Sequence, residues 1–118
     1  MQIYSFDASV GRAIDRFDSV HFVLTNIARN LSGAHIRCAY LAPGGRIGYH
    51  PTTLPQLFLV VQGAGWARGQ TEARFPLAVG RAAFWVKDEW HESGTDSGLT
   101  AILIESESLN PAELLSPA

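Results

Sequence analysis

The chain predicts an all-β barrel or sandwich, and three observations carry that prediction. Glycine or proline stands at nearly every corner. Between the corners lie short runs of β-forming residues at roughly 8–12-residue spacing. Two glycine-bounded stretches, 44–65 (GGRIGYHPTTLPQLFLVVQGAG) and 80–95 (GRAAFWVKDEWHESGT), each deliver one histidine, which points to a shared pocket.

A chain of 118 residues, 47% of them apolar, is long enough to bury a core and predicts one globular domain over 1–118, with the barrel at about 20–106. Charged residues make up only 17%, few for a small monomer, so a homodimer is expected. The net charge of -2 comes without a basic cluster, which excludes a nucleic-acid partner. The longest apolar run, LFLVV, falls far short of the roughly 20 residues of a membrane helix, and no signal peptide opens the chain. The single Cys38 rules out an internal disulfide and fits a reducing compartment, so the expected location is cytoplasmic.

Taken in order, residues 1–6 alternate loosely and predict a short edge strand or an exchanged one. Residues 7–19 place Ile14 and Phe17 three apart, with Asp7 and Ser9 as caps, and predict one or two helical turns. Residues 20–29 are rich in β-formers and lead through Asn30-Leu31-Ser32-Gly33 into residues 34–41, so a hairpin is expected. Pro43-Gly44-Gly45 breaks the chain before a short strand at 46–50 and a loop at 51–55. A buried strand follows at 56–62, with a turn at Gly63-Ala64-Gly65 into 66–68. Further strands are predicted at 72–77, 82–86, from His91, and at 99–105. Asn110 and Pro111 then read as the N-cap and first position of a surface helical turn.

The two histidine stretches resemble the paired motifs of the cupin superfamily. In the first, G-x5-H-x-H-x3-E-x6-G, the register places Gly44, His50, Thr52, Gln56 and Gly63. In the second, G-x5-P-x-G-x2-H-x3-N, it places Gly80, Val86, Asp88, His91 and Thr95. Spacing is kept throughout while several signature side chains are replaced. The resemblance implies a cupin-type jelly-roll barrel, often dimeric. It also implies a centre where three histidines and a glutamate hold one divalent metal ion (Zn, Ni, Fe or Mn).

Carried over by position, the implied metal ligands are His50, Gln56 and His91, with Thr52 a poor one. A neutral amide replaces the carboxylate that would offset the metal's charge. The alternative is a metal-free pocket in which Gln56, able to donate and accept, satisfies two neutral imidazoles. Thr52, Trp66 and Trp90 are the candidate ligand-binding residues, the indoles as a stacking platform at the barrel mouth. Trp85 is expected in the core, and His21 and His35 near the surface. Glu92, pointing away from His91, is expected to be solvated or at an interface, and Glu89 is a candidate acid or base. Cys38 reads as a small buried apolar residue.

Fold alone does not give function. The favoured reading is a protein that binds a small molecule in the barrel pocket. The alternative is a metal-dependent cupin enzyme of dioxygenase or isomerase type. A sensor module of a transcription regulator would need a helix-turn-helix segment, for which the sequence leaves no residues.

Overall fold

The run Leu57-Phe58-Leu59-Val60 is apolar at every position because its strand is covered on both faces. Alternate residues of a strand point to opposite sides. Leu57 and Leu59 accordingly enter one core cluster, while Phe58 and Val60 enter the other. Each such side chain contributes about 1.5–3 kcal/mol on full burial. In the computed structural model, which describes residues 1–118, this strand is the hinge of two sheets.

The strands are β1 (Gln2–Ser5), β2 (Arg12–Ala13), β3 (Val23–Leu24), β4 (His35–Leu41), β5 (Arg46–Pro51) and β6 (Gln56–Arg68). They continue with β7 (Phe75–Ala78), β8 (Arg81–Trp85), β9 (Trp90–Gly94), β10 (Leu99–Glu105) and β11 (Ser116–Pro117). One antiparallel sheet runs β11-β1-β8-β6-β10-β4, and β5, β9, the far half of β6 and β7 form the facing layer. The inner cluster, with Phe58, Trp85, Ala101 and Leu103, lies between the two layers. The outer cluster seats Leu109 and Leu115 of the tail, with Ile27 and Leu31 alongside, on the back of the large sheet.

The predicted turn at 63–65 is not formed. The strand continues as β6 to Arg68, and Gly63 sits at φ +78° beside a register shift against Thr100 and Ala101. A bulge bends the strand from one sheet into the other instead of ending it. The hairpin expected between 20–29 and 34–41 is also absent. All seven residues of β4 pair with β10, and β3 pairs only with β2. The intervening chain is irregular and tied down by Ser106 Oγ, which donates to the Gly33 carbonyl at 2.6 Å. β1 is not an edge strand, since β8 and β11 flank it within the chain. Cys38, expected buried, is exposed because β4 is an edge strand. The tail's 3-10 turn, Pro111–Glu113, lacks a side-chain cap from Asn110, and Pro111 itself is buried. Asp7 does cap the first such turn, accepting from the Ser9 amide.

Candidate functional site

His50 on β5 and His91 on β9 are direct cross-strand partners, following a bulge between Ile47 and His50. Residues opposite one another on adjacent antiparallel strands share a face, so the two imidazoles meet. Their ring centroids are 4.5 Å apart and their Nε2 atoms 3.2 Å apart. His50 Nδ1 lies 2.6 Å from the Gly48 carbonyl oxygen. The edge of Trp85 packs on His91 at 4.3 Å, and Trp85 Nε1 donates to the Arg68 carbonyl, which holds the indole in place. Burial, followed by the charge of His50, pushes the His91 imidazole down to about 4, so it stays neutral at pH 7.

The pair stands in a cavity of about 450 Å³, with Phe58, Trp85 and Leu103 as apolar wall and His50, Gln56, His91 and Glu105 as polar lining. That volume lies in the range of small-molecule sites. Gln56 does not serve the imidazoles. Its Nε2 donates to Glu105 Oε1 at 3.2 Å, across the β6–β10 ladder, and Arg37 of β4 also pairs with Glu105. Thr52 borders the cavity, but its hydroxyl donates to the carbonyls of Val86 (2.7 Å) and Glu89 (3.1 Å). Thr52 thus pins the β8–β9 turn that leads into His91.

The implied metal centre is not assembled by these residues. No group of three or more His, Cys, Asp or Glu converges. Two imidazoles face each other at hydrogen-bond distance, the threonine hydroxyl is committed to two carbonyls, and the amide is committed to Glu105. The donor set does not fit a three-histidine, one-carboxylate centre.

Trp66 and Trp90 do not line the cavity. Strand alternation turns them to the other face of the small sheet. Trp66 lies across Gly94, where a Cβ would stand 2.6 Å from the indole, and the Arg74 guanidinium stacks on it at 3.8 Å. Trp90 meets Tyr49 at 5.1 Å, and Arg68 lies over Tyr49 at 4.2 Å. Glu92, expected to be solvated or at an interface, is buried within the chain, where Arg68 across the ladder reaches it at 2.7 Å and Arg46 at 3.8 Å. Glu89 is held outside the cavity by the Met1 amine and the Val86 amide. His21 and His35 are exposed. Arg37 and Glu105 were missed by sequence reasoning. The only local signal was a charged residue closing the apolar strand LTAILIE, and the register that brings it beside Gln56 is long-range.

No family model and no curated protein matches the chain. Solved structures do. A cupin superfamily protein from Desulfitobacterium hafniense aligns with a TM-score of 0.59 at 14% identity, over 73% of this chain and 78% of that one. A cupin-like protein from Thermotoga maritima gives 0.60 at 22%, over 66% and 61%. A second Thermotoga maritima protein, described as a predicted oxalate decarboxylase, gives 0.55 at 18%, over 60% and 64%. At such identities the likeness is one of fold. The two-layered antiparallel architecture with a cavity at its centre is a jelly-roll barrel. The chain has the fold of a small cupin domain.

Proposed function

We propose that the barrel cavity binds a small, polar, largely uncharged molecule with an apolar portion. The observation that carries this reading is the His50–His91 pair, set in a cavity of about 450 Å³ where the neighbouring charges cancel. Arg37 is paired with Glu105, Arg68 with Glu92, and His91 is neutral at pH 7. A ligand entering such a site meets hydrogen-bonding groups and an aromatic wall rather than a net field. Charged ligands, which must shed water, gain little there. A divalent metal is a weak second occupant, because only two imidazoles face it.

A cupin enzyme of isomerase type is the second reading. One observation favours it: His50 is held on the Gly48 carbonyl with its other nitrogen aimed at His91, an arrangement suited to accepting a proton. The test is an NMR fragment screen of isotope-labelled protein with a library of neutral polar aromatics. Shifts should concentrate on His50, His91 and the Trp85 indole N–H, and His91→Phe should abolish them. Binding confined to other surfaces, or unaffected by His91→Phe, rejects the cavity as the site.

A further inference from the structure

Each polar atom lining the cavity offers a proton or a lone pair, and its partners in the chain fix which. The Gly48 carbonyl, an acceptor, lies 2.6 Å from His50 Nδ1 and so holds the His50 proton there. In the neutral pair His50 Nε2 is then an acceptor, and His91 donates its one proton to it across 3.2 Å. His91 Nδ1 is left as a bare lone pair with no partner in the chain. Gln56 is oriented by the same logic. A carboxylate only accepts, so the group facing Glu105 Oε1 at 3.2 Å is the amide nitrogen, and Gln56 Oε1 is open. Arg37 pairs with the same Glu105 oxygen, which leaves Glu105 Oε2 open as well.

These open atoms are acceptors on nearly buried side chains. Gln56 is 7% and His91 5% exposed, and the Glu105 side chain 12%. No side-chain nitrogen or oxygen sealed inside the chain lacks a partner, so the open atoms are reached from the cavity that these residues line. Opposing donors are few. Gln56 keeps one further N–H, and the remaining Arg37 N–H groups belong to a half-exposed side chain. Ser93 Oγ, buried and also without a partner, can give or take a proton and favours neither.

We infer that the ligand of this cavity is a hydrogen-bond donor: a flat, neutral ring carrying two hydroxyl or amino groups, one for His91 Nδ1 and one for Gln56 Oε1. This specificity rests on the cavity being the binding site, as proposed above. Gln56 is the cross-strand partner of Trp85, and the Trp85 edge packs on His91, so both acceptors adjoin one indole. That indole, with Phe58 and Leu103, offers a ring the apolar contact it needs. A carbonyl or ether in either place would set lone pair against lone pair and leave a buried acceptor unsatisfied.

NMR titration of isotope-labelled protein with ligands of one framework tests this. Resorcinol carries two donors, 3-methoxyphenol one and 1,3-dimethoxybenzene none, while all three keep both oxygens. Affinity at the cavity, read from the His50, His91 and Trp85 indole signals, should fall about tenfold with each donor removed. 1,3-Difluorobenzene, as compact as resorcinol but without donors, should bind no better than the dimethoxy compound, which excludes bulk as the cause. The nitrogen-15 signal of His91 Nδ1 should move with resorcinol and stay in place with 1,3-dimethoxybenzene. Gln56→Met, of similar volume, should weaken resorcinol about tenfold and leave 1,3-dimethoxybenzene unchanged. The His91 signal is read in wild type, so it decides even where Gln56→Met does not fold. Donor-free rings that bind in the cavity as tightly as resorcinol overturn the donor specificity and leave the cavity reading standing. So does a donor preference with His91 Nδ1 unmoved. Shifts confined to other surfaces for all four compounds remove the cavity as the site, and the specificity with it.

Discussion

The Nε2 atoms of His50 and His91 stand 3.2 Å apart, and the Gly48 carbonyl assigns the protons between them. A carbonyl oxygen only accepts, so His50 carries its proton on Nδ1. In the neutral pair His50 Nε2 is then a bare acceptor, and His91 donates from Nε2. The hydrogen bond is oriented by a backbone group two residues from His50, and Trp85 closes the other side of His91. A ligand that hydrogen-bonds to the pair must therefore compete with, or extend, a polarised imidazole contact.

The buried neutral His91 makes stability pH-dependent. The unfolded chain takes up this proton near 6.5, whereas the folded protein holds it off to about 4. Between those values the unfolded state binds more protons, so stability falls as pH falls. The contribution is fully present above pH 6.5, is lost progressively down to about 4, and changes no further below. Urea midpoints of wild type and His91→Phe, measured from pH 7.5 to 4, check this. The wild type should decline more steeply, and parallel profiles would refute the assignment.

Gly63 and Gly44 share nearly the same backbone, φ +78° and +79°, but not the same surroundings. A Cβ at Gly63 would stand 2.2 Å from the Gly98 carbonyl oxygen, and one at Gly44 meets nothing within 4 Å. Alanine at either position costs about 1–2 kcal/mol from the left-handed backbone. Gly63→Ala also forces β6 and β10 apart at the bulge and should cost at least ~1 kcal/mol more. Denaturant titration of the two variants measures the difference, and equal losses would mean that the bulge yields freely.

How far the sequence reaches is visible in these same residues. Motif spacing located the two histidines, because register along one strand is local information and the paired strands preserve it. Trp66 and Trp90 read from the sequence as a stacking platform at the barrel mouth, but alternation along the strands as bounded turns both away from His91, and no turn precedes Trp66. The glycines at 63–65 read as a stop, but a bulge uses the same residues to bend a continuing strand. Arg37, Glu105 and the Arg68–Glu92 pair depend on which strands become neighbours. The β4–β10 and β6–β9 ladders that set them join residues tens of positions apart. Cys38 was misplaced for the same reason, since an edge strand cannot be told from a central one by its own residues.

The Arg68–Glu92 pair should show strong coupling. Both side chains are largely buried, and Arg68 also donates to the Thr71 carbonyl and covers Tyr49. Removing one partner leaves a buried charge uncompensated, at a cost of about 3–5 kcal/mol, whereas an apolar pair of similar volume is often neutral. Glu92→Leu and Arg68→Met should each be strongly destabilising, and the double variant should recover more than about 1 kcal/mol relative to their sum. Additive losses in the cycle would place the energy in packing alone.

Rebuilding the missing donors tests whether their absence is what limits metal binding. In wild type His50 and His91 are the cavity's two imidazoles and are bonded to each other, while Thr52 and Gln56 are engaged elsewhere. Thr52→His adds a third imidazole, and Gln56→Glu adds a carboxylate of nearly the same volume. That carboxylate replaces the amide that now donates to Glu105 at 3.2 Å, so two acidic groups become neighbours. Without metal, Gln56→Glu alone should therefore lower stability near neutral pH and raise the pKa of one carboxyl group of the pair. A divalent cation relieves that repulsion. Calorimetry with Zn, Ni and Mn should show weak binding in wild type, a modest gain in Gln56→Glu, and a gain well over tenfold, above about 1.4 kcal/mol, in the double variant. The double variant should also recover stability when metal is added. Tight stoichiometric metal in wild type would overturn the neutral-ligand reading. No gain in the double variant would show that positions 52 and 56 cannot turn their side chains toward the histidine pair.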